Sequence, residues 1–138
     1  RRIYPHKALV PVMPWLAGQA PSAPDHIAIT GSQGMGIKVQ WEASSTSDAA
    51  YYVIYRFDKG DSLDLEDATK IRAIVQRTPY LTQGWTDLET ERRTEYRYLV
   101  TAVDRLHHES AASLPVRLKT RGKRGHAKIL PPDQASPQ

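Results

Sequence analysis

Cysteine is absent from this 138-residue chain, which removes a disulfide frame, a thiolate metal site and a cysteine nucleophile together. Long apolar runs are absent as well: none approaches the ~20 residues that a membrane-crossing helix needs. No stretch has the order of a signal peptide. The chain opens on Arg1 instead of Met, so it is expected to be a fragment or processed product, with any export signal upstream. The nucleophile motifs Gly-x-Ser-x-Gly and Ser-x-x-Lys do not occur. The glycine-rich run Gly31-Ser-Gln-Gly-Met-Gly36 leads into a strand pattern instead of opening a helix, so it reads as a turn and not as a phosphate cradle. An enzyme confined to these residues is not expected, and no cofactor or metal is implied.

The formal charge of +4 suggests nucleic-acid binding only until it is divided along the chain. Arg1, Arg2 and Lys7 place positive charge at one end, and Lys119, Arg121, Lys123, Arg124 and Lys128 place it near the other. Residues 8–118 are mildly acidic in consequence, without the basic face that phosphates require, and no nucleic-acid partner is expected. The ten prolines also gather toward the ends. Residues 1–24 combine five of them with Leu9, Val12, Trp15 and Leu16. Proline at this density blocks helix and ladder alike, yet a flexible linker carries less apolar surface. The segment is expected to be an irregular, extended strap, anchored by those four residues on something else. Residues 121–138, basic and then proline-containing, are expected to form a disordered tail.

Between the ends, residues 25–120 read as one all-β domain. Ile27-Ala-Ile-Thr30, Ile37-Lys-Val-Gln-Trp41 and Tyr51 to Phe57 are short β-rich runs bounded by turn clusters. Ile71 to Val75, Trp85-Thr-Asp87, Glu95 to Asp104 and Leu114 to Lys119 bring the total to seven, the spacing of a sandwich. Helical spacing competes only from Leu63 to Val75, where Asp64 is placed to cap a turn and Leu65, Ala68 and Ile71 share a face. Alternation sets the inward residues: Ile37, Val39 and Trp41; Tyr52 and Ile54; Tyr96, Tyr98, Val100 and Ala102.

The order of these residues carries a resemblance. A strand ending in Trp41, the run Tyr52-x-Ile54-Tyr-Arg, the turn-in Trp85-Thr-Asp-Leu88 and the long strand Tyr96-x-Tyr98-x-Val100-x-Ala102 resemble the fibronectin type III family, an immunoglobulin-like sandwich. The resemblance implies that Tyr96 is a tyrosine-corner residue bonded back to the preceding loop, and that Leu88 plugs the corner. The gap from Leu88 to Tyr96 exceeds the family's usual spacing, so the loop from Glu89 to Glu95 should bulge. The flanks, Tyr4-Pro5 with Ala8 to Leu16 and Ala102 to Ser110, resemble the C-terminal region of secreted bacterial glycoside-hydrolase-like lipoproteins, in which a TIM-barrel domain precedes such a module. That resemblance implies a non-catalytic accessory or spacer module packed on an upstream catalytic domain of the same polypeptide. It further implies a secreted, periplasmic or cell-surface location. An independent protein-binding or adhesion module and a weak polysaccharide-binding module are the alternatives.

If Tyr52 and Ile54 point inward, then Tyr51, Val53 and Tyr55 point outward, joined by Leu99 and Val103 from the long strand. Such a face is apolar where a solvated surface is the rule. It reads as a docking surface, with the strap as its local cover; the alternative is a hairpin or neighbouring loop lying over it. A sugar site needs exposed aromatic platforms. Trp85 reads as core and Trp15 as a strap anchor, which leaves Tyr80 as the free ring. His107-His108-Glu109 and the acidic run Asp58, Asp61, Asp64, Glu66, Asp67 read as solvated loops, since neither has metal-ligand spacing.

Overall fold

The computed structural model of the chain describes residues 20–30 and 36–132, so the strap anchors Leu9, Val12, Trp15 and Leu16 lie outside the described residues. Eight strands form: β1 (Asp25–Thr30), β2 (Ile37–Glu42), β3 (Ala49–Asp58), β4 (Ile71–Gln76), β5 (Thr82–Asp87), β6 (Glu95–Asp104), β7 (Val116–Thr120) and β8 (Ala127–Ile129). One sheet has the order β1-β2-β5 and the other β4-β3-β6-β7-β8, with every pairing antiparallel. The core between them takes Ile37, Val39 and Trp41 from β2, Tyr52 and Ile54 from β3, and Tyr96, Tyr98, Val100 and Ala102 from β6. These are the residues that period-two alternation places inward. Trp41 meets Tyr52 edge to face at 5.4 Å between ring centroids, a favoured aromatic geometry.

The eighth strand is the main departure from the sequence reading. Ala127–Ile129 falls within the stretch expected to be a disordered tail, yet it pairs with β7 through Leu118↔Ile129, Lys119↔Lys128 and Thr120↔Ala127. Gly125, at φ 82°, supplies the left-handed residue of the connecting turn. Ala127 packs on the core, so a three-residue strand suffices because its small inward residue fits beneath the sheet edge.

Leu88 is not a core plug: it is 58% exposed. Alternation along β5 turns Gln83, Trp85 and Asp87 toward the core, and Leu88 takes the opposite side. There it leans over Gly36, where an added Cβ would come within 2.7 Å of the leucine side chain and 2.4 Å of Thr86. The inward place is held by Asp87, whose buried carboxylate accepts from Arg56 at 2.6 Å and from the Tyr98 hydroxyl at 2.7 Å.

The helical competition before β4 resolves as a single 3-10 turn, Ala68–Lys70, capped by Asp67 rather than Asp64. The acidic run serves its own loop. Asp61 accepts from the Asp58 N–H and pairs with Lys70 at 2.8 Å, and Asp64 and Asp67 accept from the Glu66 and Thr69 N–H groups.

Candidate docking site on the outer face of the five-stranded sheet

The second side of the β3–β6 pair is as apolar as the first. Val53, Tyr55, Phe57, Leu99 and Val103 form a separate buried cluster, with Tyr51, Leu65, Ile71 and Ala112 packed against it. Cross-strand register builds the patch directly, since Tyr51 faces Val103 and Tyr55 faces Leu99. The structure therefore brings together all five residues that alternation turned outward, but it buries four of them and half-buries Tyr51. Among the described residues, Leu65 from the acidic loop and Ala112 from the segment before β7 supply part of the cover. Phe57 belongs to the same face, its ring stacked on that of Tyr55 at 6.3 Å. Its position two residues beyond Tyr55 was the signal that could have found it.

Beside the apolar patch lies a polar network that sequence reasoning placed in solvent. His108 and Glu109 are buried, which corrects the solvated-loop reading of His107-His108-Glu109. The cause is the tight turn that Asp104 organises. One of its oxygens accepts from the Leu106 and His108 N–H groups, each at 2.9 Å, and the other meets the His108 imidazole at 2.9 Å. His107 takes a left-handed φ of 64° to complete the turn. The chain then runs back beside β6, where Ser110 and Ser113 accept from the Ala102 and Val100 N–H groups. Glu109 is carried over the apolar patch, and its carboxylate accepts from the Tyr55 hydroxyl and from Thr101 Oγ1 at 2.8 Å. The Tyr51 hydroxyl meets His107 Nδ1 at 2.8 Å.

The electrostatics follow from this geometry. Burial works against the charge on Asp104, but the His108 N–H and imidazole outweigh it and hold the carboxyl below its ordinary value. Burial, helped by the negative charges of Glu109 and Asp104, pushes the Tyr51 hydroxyl up to about 12. No group of three His, Cys, Asp or Glu side chains suited to a metal occurs among the described residues. The carboxylates here are structural acceptors. Of the aromatic sugar candidates, Trp85 packs against the core while Tyr80 is 74% exposed, so the two do not form a shared platform.

The corner at the other end of β6 decides the fold family. The Glu91 N–H donates to the Tyr96 hydroxyl at 2.9 Å, and the loop before Tyr96 contains Arg93 at φ 51°, the irregularity that its length implied. The fn3 domain of human contactin 1 superposes with a TM-score of 0.56 at 20% identity, covering 83% of this chain and 87% of that one. An Fn3-like protein from Clostridium thermocellum superposes with a TM-score of 0.52 at 21% identity, covering 72% of this chain and 92% of that one. The described residues have the fibronectin type III fold. Among curated proteins, the "Glycosyl hydrolase YngK" of Bacillus subtilis (strain 168) is 34% identical over 116 residues, which cover 80% of this chain. The fibronectin type III chain spans only 21% of that relative's length. No family model matches.

Proposed function

We propose that this fibronectin type III domain is a non-catalytic accessory module that packs on an upstream catalytic domain in a secreted carbohydrate-active enzyme. The observation that carries the reading is the outer face of the five-stranded sheet. In an isolated sandwich the outward residues of a strand are normally polar; here they form a second apolar cluster with buried carboxylates fixed beside it. Because the chain itself already buries this face, the contact with an upstream domain would be made by the segment that covers it, an arrangement suited to a permanent contact within one polypeptide. Similarity to part of a glycosyl hydrolase supports the choice of neighbour.

The place where the chain enters the domain agrees with this. Ser22 is tied to the loop between β2 and β3 by its N–H to Thr46 at 2.8 Å and its hydroxyl to Ser44 at 2.7 Å. Ala49, nearby, pairs with Asp104, so Ser22 sits at the end of the sheet that holds the Asp104–His108 turn. In the reading proposed here Leu9, Val12, Trp15 and Leu16 anchor the strap over Val53, Tyr55 and Leu99. Calorimetry of the polypeptide that joins this module to its catalytic domain tests the idea. Docking predicts one cooperative transition, which Trp15→Ala with Leu16→Ala splits in two. Two independent transitions in the unaltered protein would refute it.

A further inference from the structure

At the end of the sheet remote from Asp104, the tyrosine-corner loop and the β7–β8 hairpin stand side by side. Thr120 joins them: its hydroxyl donates to the Glu91 carbonyl and accepts from the Thr94 N–H at 2.9 Å, and its own N–H donates to the Thr94 carbonyl. Arg93 lies against Gly122, where an added Cβ would come within 2.5 Å of the guanidinium. One shallow crevice is lined from both segments, by Glu91 and Arg92 on one side and by Arg121, Lys123 and Arg124 on the other. Arg92 and Arg93, on a loop that also carries Glu89, Glu91 and Glu95, thus come beside Arg121, Lys123 and Arg124 of the hairpin on one exposed surface. Lys119 and Lys128 face each other directly across the hairpin. On its other side Lys119 faces Glu95 of β6, so the unfavourable like-charge contact with Lys128 is only partly offset within the sheet.

We propose that this basic edge binds an acidic polysaccharide, a polymer bearing carboxylates along its length. The choice of polymer rests on the reading of the chain as part of a carbohydrate-active enzyme; the preference for a polyanion rests on the surface itself. A single-stranded nucleic acid would require aromatic platforms for its bases, and the aromatic side chain at this corner, Tyr96, is buried. The 58–67 loop leaves β3 at this same end, where Asp58 faces Tyr96, and the hairpin cations Arg121, Lys123 and Arg124 lie across β6 from it, on the β7–β8 side. Ten residues of β6 separate the edge from the Asp104 turn, a span of ~30 Å at strand rise. The crevice and the apolar cluster of the outer face share no residue.

Affinity electrophoresis of the full chain in gels containing polygalacturonate, with neutral dextran as the control, provides the test. Retardation is expected in the polygalacturonate gel alone, to be lost at high salt as exposed charge pairing is screened. Arg92→Glu with Lys123→Glu should weaken it about tenfold or more, whereas Lys38→Glu, an equal change at an exposed lysine on β2 of the other sheet, should leave it nearly unaltered. Equal mobility in both gels would overturn the proposal. So would indifference to the Arg92 and Lys123 changes, or tighter retention by duplex DNA than by polygalacturonate. None of these outcomes touches the strap or the Asp104 end, so failure here is distinguishable from failure of the docking reading.

Discussion

Asp87 shows how one residue can join the two sheets. It ends β5, yet its carboxylate is buried against Arg56 of β3 and Tyr98 of β6. Burial and that carboxylate together push the Tyr98 hydroxyl far above its ordinary value. Asp87→Ala leaves a guanidinium and a hydroxyl without their acceptor in the interior, and should cost about 3–5 kcal/mol in urea unfolding. Tyr96→Phe removes only the corner bond from Glu91 and should cost about 1 kcal/mol. Two titrations bracket the stability. The Asp104 carboxyl titrates lower when folded than unfolded, so its contribution is complete above its ordinary value near ~4 and is lost as pH falls through the folded value. Asp104→Asn should therefore flatten the acid side of a melting-temperature profile. Tyr51 is raised, so its contribution holds below ~10 and is lost as pH climbs toward about 12; Tyr51→Phe should flatten the alkaline side.

At the level of elements, alternation was a sound guide wherever a strand was long and its inward residues large. The inward faces of β2, β3 and β6 were legible for that reason, and so was the outward apolar row on β3. Leu88 failed because a charged residue took the inward place beside it, and pattern reading has no term for a buried aspartate whose partners lie on other strands. β8 failed because Ala127-Lys-Ile129 is too short and too polar to announce itself; it exists through its pairing with β7. His108 and Glu109 were missed since their burial depends on the Asp104 turn, a contact of only four residues that leaves no periodic trace. Thr120 is the element-level joint, holding β7 to the corner loop through Glu91 and Thr94. Thr120→Val should cost about 1 kcal/mol, because those partly buried partners lose their bonds to the hydroxyl. Hydrogen exchange should locate the loosening in residues 90–94 and 121–129, with β2 and β3 unchanged.

The whole molecule divides its labour between its two ends. The chain enters at the end of the sheet that holds the Asp104 turn, the apolar cluster runs along the outer face of β3 and β6, and Arg92, Arg121, Lys123 and Arg124 line a crevice at the corner end. The charge division along the sequence pointed to basic ends, but that Arg92 and Arg93 of the corner loop stand beside Arg121, Lys123 and Arg124 shows only in three dimensions. The docking reading requires that the buried state of Val53 and Leu99 depend on residues 1–19. The chain's lack of cysteine makes this directly measurable, since Val53→Cys or Leu99→Cys introduces the sole thiol. Thiol-labelling rates should be slow in the full chain and rise by about tenfold or more when the strap carries Leu9→Ala, Val12→Ala, Trp15→Ala and Leu16→Ala. Equal rates with and without those four substitutions would contradict the account.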